Sequence, residues 1–499
     1  MNNRKTSPLI ALLIIALFSS MAMGQGSTAS QTPSSPKGPE IKGKAPVNKE
    51  VLKVKLPKAE EASLPNGLRV VLLRNHKVPT FTMQMVILSG GLADKPDYRG
   101  LANFTAALLR DGTAKRTSKD IAEQTEALGT TLAATSGLAS LTSTVTTSGL
   151  VENLDQSMDI FADVVRNPQF PQPEVEKYKT RTLAQLQSQR SNPQFLAGEQ
   201  FGKALYGNHP ASLVVPPADS IKKLTSKDLS DFHSTYYRPN NAILAVVGDV
   251  TMKELMPKVQ TAFGDWQKAD VPNTAIPSAP APAAATIYLI DRPGSVQTVL
   301  QLGTLGIERT NPDYFAVLLA DRVLGGGPSG RLFLNLREKN GYTYGAYSFF
   351  NSPKYRGTWG ASSEVRTEVT DGAMKEFKFE FERLAKEKVP TEELENAKRA
   401  IVGSFALSLE QPQALLQNII TQKIYNLPAD YWDTYPQKVS AITADDVQRV
   451  AQKYIDMGHL QIVAVGDASK TRNTLAKYGT VQVFDTDGKP IGSATEANK

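Results

Sequence analysis

Cysteine is absent from all 499 residues. That excludes disulfides, thiolate metal sites and a cysteine nucleophile, and it removes the thioether route to a lipid anchor. Histidine is nearly as scarce. His76, His209, His233 and His459 are the only four, and no two stand at the i, i+4 spacing that lets one helix face bind a metal. Excess charge is small as well: Lys+Arg outnumber Asp+Glu by 56 − 49 = 7. The basic residues are scattered without a dense interleaving of aromatics, so no nucleic-acid-binding face is expected. The apolar run Leu9–Phe18 has ten residues, about half of the ~20 that a membrane-spanning helix needs.

That run is placed instead as the core of an export signal. Arg4 and Lys5 precede it, and the small residues Ala22 and Gly24 follow at the spacing of a cleavage site, leaving Gln25 as the mature start. An uncleaved N-terminal anchor is the alternative. The expectation is a soluble exported protein, periplasmic if the source is Gram-negative, with no membrane insertion once residues 1–24 are removed. Residues 25–55 are rich in Gly, Ser, Thr, Pro and Lys and read as a disordered linker, because they offer too little apolar surface to offset ordering. A second break at 268–285, where Pro and Ala alternate, reads as a linker between two bodies, 56–267 and 286–484; residues 485–499 read as a flexible tail.

The two bodies repeat one another. LTSKDLSDFHSTYY, from Leu224, matches ITADDVQRVAQKYI, from Ile442, and AVVGDV matches VAVGDA. Three landmarks share one offset: 442 − 224, 454 − 236 and 466 − 248 each give 218. The physical content repeats too. Thr225 or Ser226, and Thr443, serve as helix N-caps; an amphipathic helix follows, then a buried strand, then Gly-Asp. The pattern is a domain duplication rather than a solenoid.

Within the first body, 68–74 and 81–88 read as strands. Phe81, Met83, Met85 and Ile87 alternate with Thr82 and Gln84, the period-2 pattern of a half-buried strand. Residues 101–109 read as a helix, Ser118 opens another with Gly129 as its stop, 130–147 reads as a hairpin, and helices follow at 151–165 and 174–190. The fold class is α+β: two homologous domains, each a largely antiparallel sheet with helices on one face.

LPNGLRVVLLRNHKVP, followed by GGLADKPDYRGLANFTAALLRDGTAKRT, resembles the opening of the M16 peptidases, the inverted zincins related to pitrilysin and the mitochondrial processing peptidase. PSGRLFLNLREKNGYTYGAYS resembles their C-terminal domain, and the likeness covers roughly 56–480. It implies a clamshell of two such domains. Active members bind zinc through H-x-x-E-H on a helix plus a later Glu, with the first Glu as general base. At the positions matching that motif this chain has Asn103, Ala106, Ala107 and, on the later helix, Ala184. The metal site is degenerate, and no metal or cofactor is expected in this chain. The acidic stretch 391–395 reads as solvated charge.

The resemblance carries an Arg and a Tyr onto Arg337 and Tyr344, which in the family face the zinc across the substrate. A guanidinium and a phenol are fixed donors able to stabilise an oxyanion; the structural alternative is that Arg337 pairs with a carboxylate and Tyr344 packs. Tyr342 competes with Tyr344 for the assignment. Gly325, Gly326 and Gly327 lie in a G-x-G-x-x-G string that lacks the strand–turn–helix context of a dinucleotide site. It reads either as a flexible turn that lets backbone approach another chain closely or, by likeness to related subunits, as substrate contact inside the chamber. The implied function is a non-catalytic subunit of a heterodimeric metallopeptidase, inactive alone, with zinc in an H-x-x-E-H partner and peptides or unfolded polypeptide as substrate. The alternative is a catalytically silent scaffold or peptide-binding protein.

Overall fold

The computed structural model describes residues 53–491. The expected signal segment, nearly all of linker 25–55 and residues 492–499 lie outside the described residues. The first half runs β1 (Glu60–Ser63), β2 (Arg69–Arg74), β3 (Thr80–Ile87), α1 (Leu101–Leu108), α2 (Ser118–Ala127), β4 (Thr131–Ser136), β5 (Ser143–Leu150) and α3 (Leu154–Arg166). It continues through α4 (Gln172–Gln189), α5 (Pro193–Tyr206), α6 (Ala218–Lys223), α7 (Ser226–Tyr236), β6 (Ala242–Gly248) and α8 (Met252–Phe263). The second half runs β7 (Thr286–Asp291), β8 (Gln297–Leu305), α9 (Tyr314–Leu324), a π-helix (Phe333–Lys339), β9 (Thr343–Phe350) and β10 (Thr358–Arg366). It ends with α10 (Thr370–Lys386), α11 (Thr391–Ser408), α12 (Pro412–Tyr425), α13 (Tyr435–Ala441), α14 (Ala444–Tyr454), β11 (Gln461–Gly466), α15 (Ala468–Leu475) and β12 (Val481–Phe484).

Each half forms one six-stranded sheet, ordered β1-β2-β6-β3-β5-β4 and β12-β7-β11-β8-β10-β9. Both are mixed but largely antiparallel; β2–β6, β7–β11 and β7–β12 are the parallel pairs. β2 and β3, consecutive in sequence, do not pair, because β6 lies between them. The duplicated helices coincide with the sequence offset: α7 and α14 open on capping boxes, Thr225 with Asp228 and Thr443 with Asp446. Each box satisfies otherwise orphaned backbone N–H groups and contributes about 1 kcal/mol.

Helices cover both faces of each sheet rather than one. Each half supplies its own inner layer, and the other half supplies the outer. Leu415, Leu416, Ile419 and Ile420 of α12 pack on Val71, Leu73, Val86, Ile243 and Val247 of the first sheet. Reciprocally, Leu196, Ala197, Phe201 and Leu205 of α5 pack on Val299, Leu305, Val463 and Val465 of the second. This exchange corrects the half-buried reading of β3. Val86 and Thr82, on its expected solvent face, are 1% and 5% exposed, because α12 arrives from more than three hundred residues away. A strap before β1 adds a further tie: Val54 and Leu56 pack beside Tyr431 and Trp432, and Leu56 N donates to Asp433 Oδ1 at 2.9 Å.

The Pro/Ala segment between the halves has no regular structure, yet it is pinned midway. His209 Nδ1 accepts from Ala211 N (3.0 Å), so Nε2 carries the proton and donates to Pro277 O at 3.1 Å. The tail is shorter than its expected start at 485. Residues 485–491 turn back onto β12, with Ile491 N donating to Val483 O at 2.8 Å.

Candidate functional site

The helix that carries Asn103, Ala106 and Ala107, the positions that the resemblance sets against the zinc-binding motif, is α1. Its N-terminus is set by Asp94, whose buried carboxylate accepts from Gly100 N (2.8 Å) and Ala102 N (2.9 Å); burial pushes this carboxyl up to about 7. Gly100, at φ 98°, makes the turn into the helix, and a Cβ there would fall 2.6 Å from Pro216 Cβ. Phe104 meets Tyr178 of α4 edge to face at 4.7 Å, which holds α1 and α4 side by side.

None of the four motif positions on these helices offers a ligand. Ala106 is fully buried, Ala107 half-buried and Ala184 exposed, and each presents only a methyl group. Asn103 spends its amide nitrogen on Ser136 O at the end of β4 (2.8 Å). Zinc wants three or four imidazole, thiolate or carboxylate donors. One amide and three methyls do not fit it. Among the described residues no group of three or more His, Cys, Asp or Glu converges on a common point. The histidines are engaged singly: His76 with Asp249, His209 with Pro277 O, His459 with Asp456 (2.6 Å), and His233 with Val165 O (2.8 Å).

Arg337 and the two tyrosines lie in the second half. Arg337 stands on the π-helix, where Asn340 N reaches back five residues to Asn335 O at 3.0 Å. This wide turn is pinned by buried polar contacts. Asn335 Nδ2 donates to Glu376 Oε2 (2.8 Å) and Glu380 Oε1 (2.7 Å) on α10, and Asn340 Nδ2 donates to Asn335 Oδ1 (2.7 Å). Just before it, buried Arg331 makes a bidentate pair with Glu393 of α11 at 2.7 and 2.9 Å. Glu393 is therefore a structural anchor, which corrects the reading of 391–395 as solvated charge. π-turns carry one extra residue and re-aim side chains, a feature frequent at functional sites.

Arg337 emerges with its side chain 46% exposed, stacked over Phe333 at 4.8 Å and only 3.4 Å from Glu338 Oε1. An exposed neighbouring pair of this kind contributes little and leaves the guanidinium available. Three residues past the π-helix ends, the chain enters the edge strand β9, and here the two tyrosines separate. Tyr342 lies against Gly372, where a Cβ would sit 2.8 Å from its ring, and packs at the edge of the core. Tyr344 is 88% exposed. Of the two, Tyr344 is the one that stands in solvent.

The glycine string closes on its own chain. It follows helix α9 rather than a strand, which removes the dinucleotide reading. Ser348 N donates to Gly325 O (3.0 Å), and a Cβ on Gly325 would lie 2.5 Å from that nitrogen. The Gly326 carbonyl accepts from the Arg322 guanidinium. Gly325 and Gly327 are buried, Gly326 partly so, and the exposed tip is Pro328–Ser329. All three glycines lie close to other atoms of their own chain, Gly325 to Ser348 and Gly326 and Gly327 to Arg322, where one reading of the sequence has another chain.

Two repeated α/β halves, each a six-stranded sheet under helices, define a duplicated peptidase-like scaffold. The chain belongs to peptidase family M16. Residues 69–215 match the family described as Insulinase (Peptidase family M16), and residues 223–401 match Peptidase M16 inactive domain. A solved structure described as a peptidase M16 inactive domain from Pseudomonas fluorescens superposes with TM-score 0.76 at 29% identity, covering 82% of this chain and 98% of that one. A Helicobacter pylori protease shares the fold (TM-score 0.76, 21% identity, 83% of this chain and all of that one). Among curated relatives, an uncharacterised zinc protease of Streptomyces coelicolor is 25% identical over 78% of this chain and 86% of its own length. A probable mitochondrial-processing peptidase subunit beta of Arabidopsis thaliana is 23% identical over 82% of this chain and 78% of its own.

Proposed function

We propose that this chain is the non-catalytic, zinc-free subunit of an exported M16 peptidase pair. It supplies Arg337 and Tyr344 to bind peptide and to stabilise the charge that develops on the scissile carbonyl, opposite a partner chain that carries H-x-x-E-H and the zinc. What carries the reading is one contrast: the ligand positions Asn103, Ala106, Ala107 and Ala184 hold no donor set, while Tyr344 stands 88% exposed beside a half-exposed Arg337. A family member kept only for its shape would not need Arg337 carried into solvent on a turn clamped by Asn335 and two glutamates. The export signal belongs to this proposal, with the periplasm as destination in a Gram-negative source. So does substrate contact by the glycine-rich turn, which falls to Pro328 and Ser329 and not to the buried Gly325 and Gly327.

The test is zinc content and peptidase activity of the purified chain, alone and mixed with an M16 chain carrying H-x-x-E-H. The pair should hydrolyse peptide and hold zinc where this chain alone does neither. Arg337→Ala should lower turnover of the pair on the order of a hundredfold, as expected for loss of one oxyanion donor. Unchanged turnover in that variant would refute the role of Arg337. The second reading, a silent scaffold, is favoured by the stacking of Arg337 on Phe333, and inactivity of the mixture would select it.

A further inference from the structure

Away from Arg337 and Tyr344, a cavity of ≈ 380 Å³ opens where the two halves meet beside α12. Its walls include Ser140, from the loop between β4 and β5, and Arg309, Tyr355, Thr421, Tyr425 and Trp432 from the second half. The volume lies within the range of small-molecule sites, and the mixture of aromatic walls with a few polar groups is their usual lining. Tyr355 Oη donates to Ala139 O at 3.3 Å, so the cavity sits on a contact between the halves.

Arg309 is its one charged wall. The guanidinium lies 4.0 Å from the centre of the Tyr314 ring and 5.5 and 5.7 Å from those of Tyr431 and Trp432. Its Nε is buried without a hydrogen-bond partner. Stacking on aromatic faces accommodates the charge, with the Tyr314 and Tyr431 side chains beside the guanidinium. Lys354 lies over Tyr425 at 6.0 Å and Lys438 over Tyr431 at 4.8 Å. Among the described residues no ion pair uses Arg309, Lys354 or Lys438. Three cations thus gather on an aromatic cluster without an ion pair among the described residues, and an acceptor entering the cavity would offset the cost of leaving them unpaired.

We infer that the cavity binds the carboxylate of a compact organic acid that also carries a planar ring. Arg309 takes the carboxylate, and the ring lies against Tyr355, Tyr425 and Trp432. Two sources share this chemistry, a free aromatic acid and the C-terminus of a peptide ending in an aromatic residue. The site is separate from the Arg337 and Tyr344 surface and does not depend on the peptidase reading. Because its walls come from both halves, an occupant also ties them together.

Trp432 is one of three tryptophans and the one at the cavity; Trp266 and Trp359 are buried elsewhere. Fluorescence titration of the full chain therefore reads the site directly. N-acetylphenylalanine should change the emission saturably and raise the melting temperature, and its amide should bind at least about tenfold more weakly. Arg309→Gln should lose affinity by about tenfold or more. Thr421→Phe, which fills the cavity without touching the guanidinium, should abolish binding even if Arg309→Gln fails to fold. Benzoate binding as tightly as N-acetylphenylalanine identifies the free acid as the source; much weaker benzoate identifies the peptide terminus. Equal binding of acid and amide, no saturable response to either acid, or undiminished binding in Thr421→Phe would overturn the inference.

Discussion

The two halves run through matching elements and then part at the segment between the first long helix and the hairpin. In the first half that segment is α2, a ten-residue α-helix held by the capping box of Thr117 and Asp120. In the second it is a seven-residue π-helix with no side-chain cap, held instead by Asn335 against Glu376 and Glu380. Before the first of these segments α1 carries Asn103, Ala106 and Ala107, one engaged amide and two methyls, whereas in the second half the π-helix itself carries the half-exposed Arg337. A duplicated frame therefore repeats the positions, and local winding and residue identity decide which side chains each copy presents there. The sheet ends differ as well, since β1 joins its sheet antiparallel and β12 joins parallel.

The exchange of α5 and α12 offers the strongest test of this comparison. Phe201→Ala should cost about 3–5 kcal/mol and Leu416→Ala about 2–5 kcal/mol, because both side chains are buried and leave cavities. Hydrogen exchange should show the effects crossing over. Phe201→Ala should deprotect the second sheet and Leu416→Ala the first; damage confined to the mutated half would break the picture.

A smaller asymmetry concerns acid. His233 on α7 corresponds to residue 233 + 218 = 451, an alanine on α14. Burial holds the imidazole down at about 4 from its ordinary 6.5, with its Nε2 proton on Val165 O. The folded pKa lies below the unfolded one, so this stability is present above pH 6.5 and is lost as pH falls toward 4. About 3 kcal/mol should disappear across that window in denaturant unfolding, and His233→Gln, which keeps a donor, should flatten it. Next come the paired caps. Thr225→Ala and Thr443→Ala should each cost about 1 kcal/mol, and nearly equally, since the boxes have the same geometry. Tyr344→Phe should shift stability by less than about 0.5 kcal/mol, because the ring is exposed, while lowering turnover of a reconstituted pair.

What was legible in the sequence was local. The repeat, the capping residues Thr225 and Thr443, and the stop at Gly129 depend on neighbours within a few positions. That Ala106, Ala107 and Ala184 carry no donor was legible because alanine cannot coordinate in any fold. The buried second face of β3 was not, since its cover is α12. The π-turn was equally hidden: FLNLREK carries no marker for it, and its cause is Asn335 reaching two glutamates on α10. Tyr342 and Tyr344 were inseparable by spacing and differ only once one of them packs against Gly372. The roles of Glu393 and Arg309 depend on partners from remote parts of the chain, which no window of residues displays.

The reciprocal helices also bear on how the molecule is made. While the first half leaves the ribosome, the outer side of its sheet has no lid, because α12 has yet to be synthesised. That side, with Val71, Leu73, Val86, Ile243 and Val247, must wait or be shielded until the chain is nearly complete. Once closed, the halves clasp each other like two hands. A protease nicking the Pro/Ala segment would leave two fragments still joined, and separately expressed halves should find each other rather than fold alone.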